Sequence, residues 1–279
     1  MTAEQSNEKK PGRPAVPLAH RTLHLVQITD CHIFESEQGI LQELNTRRSF
    51  EAVKKAVFES GDNTDLLLAT GDLSQDGSAA SYRYLAQQFD EFELPVFWLP
   101  GNHDAVGVML KNFTGINIDA SKHIVAGAWQ IVMLDSTIPG EVHGCVAPSQ
   151  LDFLETSLRQ HPDKHALVCL HHQALDTGSD WLDNKGLDAA DRLLDRIGQH
   201  GNIRAVLWGH VHQDFHRRIN GVEWMSTPST CVQFKPRSKT FAIGDEAPGY
   251  RHLRLNSDGS IETRVHRIDY LDLALDRSP

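Results

Sequence analysis

Cysteine is scarce in this chain. Four occur in 279 residues, at Cys31, Cys145, Cys169 and Cys231, and none are spaced as CxxC. That argues against a zinc knuckle or a thioredoxin-type redox motif, and so low a thiol count suits a reducing compartment. Basic charge is also short: 27 Lys and Arg stand against 37 Asp and Glu, a net charge of -10. A bulk electrostatic grip on nucleic acid is therefore not expected. Long apolar runs are missing too. No segment approaches the roughly 20 apolar residues of a membrane span. The first 20 residues are polar, carry Pro11, Pro14 and Pro17, and lack the apolar stretch of a signal peptide. We read 1–20 and 271–279 as tails and take the cytoplasm as the default location.

What is present is a chain with 40% hydrophobic residues, enough for one large domain with a substantial core. No linker divides it, so 21–270 is expected to be one domain with a β-rich C-terminal part. The runs at 23–29, 65–70, 95–99, 129–134, 166–170 and 203–208 read as strands. The 65–70 run is apolar without alternation, as in a strand buried on both faces. Asn45 and Ser78 are placed to cap helices reaching about Ser60 and Phe92. Phe50, Val53 and Val57 share a face of the first. Further helices are expected over 149–160 and 187–199. Beyond Gly209 the pattern shortens to β segments with turns at Asn220-Gly221 and Asp258-Gly259. Strands alternating with helices argue for an α/β fold with a largely parallel core sheet. The β-rich end adds strands, in that sheet or in a second one packed on it.

Polar, metal-competent residues follow the strands. They are Asp30-Cys31-His32, Gly71-Asp72, Gly101-Asn102-His103-Asp104, His171-His172 and Gly209-His210-Val211-His212. Ligands of open α/β sheets bind beyond the carboxyl ends of the strands, so the five motifs converge on one place. Singly each motif is weak, because Gly, Asn and Asp are ordinary turn residues. Jointly they offer two Asp, one Asn and four His, a mixture of oxygen and nitrogen donors without thiolate. Such a mixture suits iron, manganese or zinc better than calcium or magnesium. Seven ligands are too many for one ordinary transition-metal site and fit two metals sharing a carboxylate. Such a pair clamps a phosphate and activates a water.

The order DxH, GD, GNH[DE], H, GHxH resembles the calcineurin-like metallophosphoesterase superfamily over about Leu23 to Arg267. Three further segments resemble its class III cyclic nucleotide phosphodiesterase branch, and within it the bacterial enzymes that act on cyclic AMP. These are Leu134-Asp135-Ser136 with 139–144, then 178–183, then 226–236. The resemblance implies a sandwich of two mixed β-sheets flanked by helices. It also implies two divalent or mixed-valence transition metals, iron first, with manganese or zinc as alternatives. By the same resemblance Asp30, His32 and His212 hold one metal, Asn102, His171 and His210 the other, and Asp72 bridges both. Asn102 and His103 would bind the substrate phosphate. His103 would be the catalytic histidine, protonating the departing 3' oxygen during in-line attack of a metal-bound hydroxide on 3',5'-cyclic AMP. The product would be 5'-AMP, and intracellular cyclic AMP would fall.

Asp104 is expected to orient the His103 imidazole, to cap the helix that follows, or both. Cys31 departs from the commonest pattern, where Thr, Ser or Leu is usual; it is either oxidation-sensitive or an inert buried residue. Trp181 either stacks on the base or anchors its loop. His143 lies near the pocket or in solvent, and His172 beside or beneath the site. Lys235, Arg237 and Lys239 read as solvated surface, and the 227–235 segment as an undecided part of the pocket mouth. The expected partner is a small cyclic nucleotide, with no nucleic acid or membrane, for a monomer or homodimer. Two other readings remain: a broader phosphodiesterase acting on other nucleotides or 2',3'-cyclic phosphates, and an inactive scaffold of the same fold.

Overall fold

A computed structural model describes residues 21–269; the tails expected at 1–20 and 271–279 lie outside them. Strands Leu23–Ile28, Leu66–Thr70 and Val96–Leu99 are apolar on both sides, so both sides must be covered. They run parallel with Ile118–Asp119. The antiparallel strands Gly249–Leu255 and Ile261–Arg267 from the far end of the chain complete a six-stranded sheet. A second six-stranded sheet sets Trp129–Met133, His165–Cys169, Ile203–Trp208 and Val222–Ser226 in parallel. His123–Ala126 and Phe215–Ile219 are its antiparallel edges.

Alternation along each strand assigns the layers. Leu25, Leu66, Leu68 and Leu99 face the other sheet and meet Trp129, Ile131, Leu167 and Leu207 in a core between the sheets. Val26, Ile28 and Leu67 face outward onto Phe50, Val53, Leu85 and Phe89 of helices Thr46–Glu59 and Ala79–Asp90. On the far side, Val168, Val206 and Trp208 pack on Leu154, Leu158, Leu193 and Ile197 of helices Pro148–Gln160 and Ala190–Gly198. The layers thus run helix, sheet, sheet, helix. The predicted caps form: Asn45 Oδ1 accepts from the Arg48 amide at 3.0 Å, and Ser78 Oγ from the Ser81 amide at 3.1 Å.

The strands divide between two mixed sheets, as the resemblance implies, because strands apolar on both faces need a second sheet to cover the face the helices leave bare. One local expectation changes. The helix expected from Leu187 begins instead at Ala190. Leu187–Asp188 is drawn into a short parallel pairing with Gly144–Cys145, and Ala189, at φ +50°, breaks the chain direction. The helix behind Asp104 spans Val106–Asn112, and helix Asp180–Asp183 and the strand His123–Ala126 add to the elements expected. Among the described residues no helix is long and apolar enough to cross a membrane.

Candidate metal centre

Five of the strands end on the same edge of the sandwich, three from the first sheet and two from the second. Asp30 and His32 follow Leu23–Ile28, Asp72 follows Leu66–Thr70, and Asn102 and His103 follow Val96–Leu99. His171 follows His165–Cys169, and His210 and His212 follow Ile203–Trp208. The first two loops are zipped together beyond their strands. The amides of Asp30, His32 and Ile33 donate to the carbonyls of Gly71, Asp72 and Leu73 at 3.0, 2.9 and 3.0 Å. Asp30, His32, Asp72, His210 and His212 all adopt φ between +48° and +65°. Left-handed backbone costs a non-glycine residue about 1–3 kcal/mol. Concentrated on five of the seven expected ligands, it turns each loop sharply enough to aim its side chain at one point. Close backbone approach does the rest: a β-carbon at Gly101 would collide with the Asp72 carboxylate, and one at Gly71 (φ +94°) with the His171 ring.

The donor atoms gather closely enough to share cations. His32 Nε2 stands 3.1 Å from His212 Nε2. Asp30 Oδ1 is 3.3 Å from His212 Nε2, 3.9 Å from His171 Nε2 and 4.0 Å from His32 Nε2. Asp72 Oδ1 accepts the His103 amide at 2.8 Å, while its Oδ2 lies 3.4 Å from His171 Nε2 and 3.7 Å from His32 Nε2. Donors about 2.0–2.2 Å from a shared cation stand about 3 to 4 Å apart, the range of these separations. Asp72 Oδ2 falls between one histidine of each expected ligand set, the place of a bridging carboxylate.

The histidines are wired for ligation. A ligating imidazole gives its other N–H to an acceptor. His171 Nδ1 lies 2.8 Å from the Thr70 carbonyl, His212 Nδ1 2.8 Å from that of Val232, and His210 Nε2 3.1 Å from that of Lys185. Each can thereby turn its other nitrogen to a cation. Asn102 Oδ1 is buried with no hydrogen-bond partner, whereas His171 Nε2 faces Asp72 Oδ2 at 3.4 Å and Asp30 Oδ1 at 3.9 Å. An unpaired buried polar atom is costly; on an expected ligand it fits ligation of a cation. His172 differs: Nδ1 meets Ser136 Oγ at 2.8 Å and Nε2 the Val142 carbonyl at 3.2 Å, so neither nitrogen is free. Ser136, within one of the branch-specific segments, also receives the amides of His171 and His172, both at 3.3 Å.

Charge follows burial and neighbours. Burial pushes the Asp72 carboxyl up, but the His171 charge and hydrogen bond outweigh it and hold it well below the usual range. Asp30 is lowered in the same way, against its burial, by His212. His171 is pulled down by burial yet carried up to about 9 by Asp72 and Asp30. Burial lowers His32 to about 4 and His210 well below its ordinary value. Neutral His32 and His210 are ready to ligate, and His171 must lose a proton first.

Several expected roles move. Asp104 does not orient His103. Its oxygens accept the amides of Gly101 (2.9 Å), Ser74 (3.0 Å) and Leu73 (3.2 Å) and the hydroxyl of Tyr82 (3.0 Å), so it ties the Asp72 loop to the Asn102 loop. Nor does it cap the next helix, whose N-cap is Ala105, with no side-chain cap. The imidazole of His103 contacts Gln75 instead, 3.2 Å away. Cys31 is fully buried with its thiol pushed well up by burial, which is the inert alternative. The 227–235 segment backs the site rather than lining a mouth. Ser229 Oγ donates to the Asp30 carbonyl at 2.7 Å, the Thr230 amide to that of Thr29 at 3.2 Å, and Cys231 lies within reach of His32 and His212. Phe234 stacks on the His212 ring at 4.2 Å and meets Trp181 edge-on at 5.1 Å, so Trp181 anchors its loop. His143 sits in a solvated pairing with Asp188 at 3.2 Å, and Lys235, Arg237 and Lys239 are exposed. Gln75 escaped the sequence reading, which gave it no motif; Ser136 and Cys231 lie in the branch-resembling segments without a contact assigned to them.

A helix–sheet–sheet–helix sandwich with an Asp, Asn and His cluster across both sheet edges defines a metal-dependent phosphoesterase. The chain belongs to the calcineurin-like phosphoesterase family, whose pattern matches residues 23–214. Among its relatives is the 3',5'-cyclic adenosine monophosphate phosphodiesterase CpdA of Haemophilus influenzae, 40% identical over 247 residues, covering 88% of this chain and 90% of that protein. The protein of the same name from Vibrio vulnificus is 41% identical, covering 90% and 92%. The fold is shared with a dimetal phosphatase from Danio rerio at 13% identity and a TM-score of 0.61, covering 88% of this chain and 99% of that one.

Proposed function

We propose that this chain hydrolyses 3',5'-cyclic AMP to 5'-AMP at a dinuclear metal centre and thereby lowers intracellular cyclic AMP. Asp30, His32 and His212 would hold one cation and Asn102, His171 and His210 the other, with Asp72 shared. The observation that carries this reading is Asp72 Oδ2, set 3.7 Å from His32 Nε2 and 3.4 Å from His171 Nε2. The relatives of about 40% identity support the cyclic AMP substrate. Donor chemistry favours iron, manganese or zinc, and we take iron first.

When bound, two such cations draw off charge from a phosphoryl group and acidify a water near neutrality. The chain's own residues do the rest. His103, exposed at the rim with its ring 5.0 Å from that of His32, faces the phosphate. Hydrolysis joins a water oxygen to phosphorus opposite the 3' oxygen, which departs with the electron pair of the broken bond. A donor placed where that charge grows lowers the barrier, and His103 is that donor. Asp104 holds the His103 loop against the Asp72 loop, so the donor and the shared carboxylate keep one spacing. We take 21–270 as one catalytic domain, supported by the pairing of Gly249–Leu255 with Leu23–Ile28. Four free cysteines support a cytoplasmic setting.

The test is turnover of cyclic AMP, cyclic GMP, 2',3'-cyclic AMP and bis(p-nitrophenyl) phosphate, with iron, manganese and zinc supplied separately. Cyclic AMP cleaved to 5'-AMP is the expected result. Hydrolysis of the simple ester with no cyclic nucleotide turned over would leave a phosphodiesterase of another substrate.

A further inference from the structure

The side-chain amide of Gln75 lies between two histidines with different tasks. Its Oε1 is 2.7 Å from His32 Nδ1 and its Nε2 is 3.2 Å from His103 Nδ1. An amide oxygen only accepts and an amide nitrogen only donates. In this orientation His32 carries its proton on Nδ1 and gives it to Gln75, leaving the Nε2 lone pair toward Asp72 and Asp30. His103 accepts at Nδ1, so its ring proton sits on Nε2. Reversing the amide would protonate His32 at Nε2, the atom 3.1 Å from His212 Nε2 and 3.7 Å from Asp72 Oδ2. Ligation by His32 Nε2 then fails, which selects the first orientation.

Gln75 is also fixed from behind. Its main-chain N–H donates to the Ile33 carbonyl at 3.0 Å, next to a parallel bridge between Ile33 and Ser74. The residue is half-buried, and the loop zipper that carries the Asp30 and Asp72 turns carries it to this spot.

We propose that Gln75 is a positioning residue that sets opposite tautomers on two neighbours: a metal-facing lone pair on His32 Nε2 and a substrate-facing N–H on His103 Nε2. The His103 half rests on the phosphodiesterase reading above. A ring whose only proton is on Nε2 gives a hydrogen bond and keeps its proton, because losing it would leave an imidazolate. His103 then stabilises charge on an ester or phosphoryl oxygen as a donor. On this proposal His103 does not take the role the resemblance implies, protonation of the 3' oxygen; that oxygen takes its proton from water.

The first measurement is 15N NMR of the ring nitrogens in the zinc-loaded and metal-free proteins. It is expected to show His103 protonated at Nε2 and bare at Nδ1, with His32 protonated at Nδ1. His103 protonated at Nδ1 in the wild-type protein overturns the proposal, whatever the substrate proves to be. The second is kinetic. Gln75→Met keeps the length and removes both hydrogen bonds; kcat on cyclic AMP is expected to fall about 10- to 100-fold, with KM little changed and the His103 signal broadened between tautomers. Adding Gln75→Met to His103→Ala should then remove much less kcat than it does alone, since the shared part of its effect is already lost. Fully additive losses overturn the assignment. If Gln75→Met does not fold, Gln75→Glu is read in the same way. It accepts from His103 Nδ1–H, so its expected signature is a His103 proton on Nδ1. Absence of cyclic AMP turnover in the wild type would defeat the substrate reading and leave the tautomer result to stand or fall by itself.

Discussion

Loading the second cation must expel a proton from His171. That ring is fully buried, with Nε2 3.4 Å from Asp72 Oδ2 and 3.9 Å from Asp30 Oδ1. Burial pulls its pKa down, but the two carboxylates carry it up to about 9. In the metal-free protein at pH 7 the ring is then about 99% protonated. Competition with that proton weakens cation binding about a hundredfold, or about 3 kcal/mol, relative to a pH above 9. In metal-free protein the same raised pKa stabilises the fold fully below the ordinary imidazole value, and the contribution is lost as pH rises through about 9. The assay is calorimetric zinc titration of metal-free protein at pH 7 in two buffers of different ionisation enthalpy, which counts protons released. A metal-bound water adds a proton of its own, so the same titration is run on His171→Asn, which keeps an oxygen donor there. The wild type should release about one proton more than the variant, and its affinity should rise about tenfold from pH 7 to pH 8. Equal proton counts with affinity flat over that interval would refute the reasoning.

Gly101→Ala places a β-carbon against the Asp72 carboxylate and amide; a loss of about 1–3 kcal/mol in denaturant unfolding and of bound metal by elemental analysis is expected, and unchanged metal content would be contrary. Phe89→Ala empties a fully buried site where rings of Phe50, Phe92 and Phe113 meet it at 5.7, 6.0 and 5.7 Å; unfolding should show a cost of about 3–5 kcal/mol, and one below about 1 kcal/mol would contradict that packing. Cys31, Cys169 and Cys231 are buried with thiols pushed up by burial. Iodoacetamide at pH 8 should therefore label folded protein at Cys145 only, and modification of Cys31 would revive its reading as an oxidation-sensitive group.

The site was readable in outline because each ligand directly follows a run of apolar residues. A strand such as Leu66–Thr70 must be buried and its end must turn; Asp72 at that turn gains meaning only beside the four other strand-end motifs. Distances between motifs were not readable, since they depend on how two sheets stack. The apolar runs indicated buried strands without saying which sheet each would join, and the chain changes sheet between Ile118–Asp119 and His123–Ala126. Asp104 was misassigned because a carboxylate beside a histidine suggests a pair, whereas folding offers its oxygens three amides and a tyrosine hydroxyl. Gln75 was invisible for a related reason. Its place depends on the zipper between two loops 40 residues apart in sequence, and a lone glutamine in a polar loop carries no period or spacing. Leu187 misled through composition, as its neighbours form a helix while Gly144, distant in sequence, claims it for a strand.

The most direct measurement is anomalous diffraction from crystals of the manganese-loaded protein, with substrate-free density at the sheet edges. Two ions roughly 3.5–4 Å apart, with Asp72 bound to both, His32 and His212 on one and His171 and His210 on the other, is the predicted result. A single ion, or two that do not share Asp72, would contradict the account.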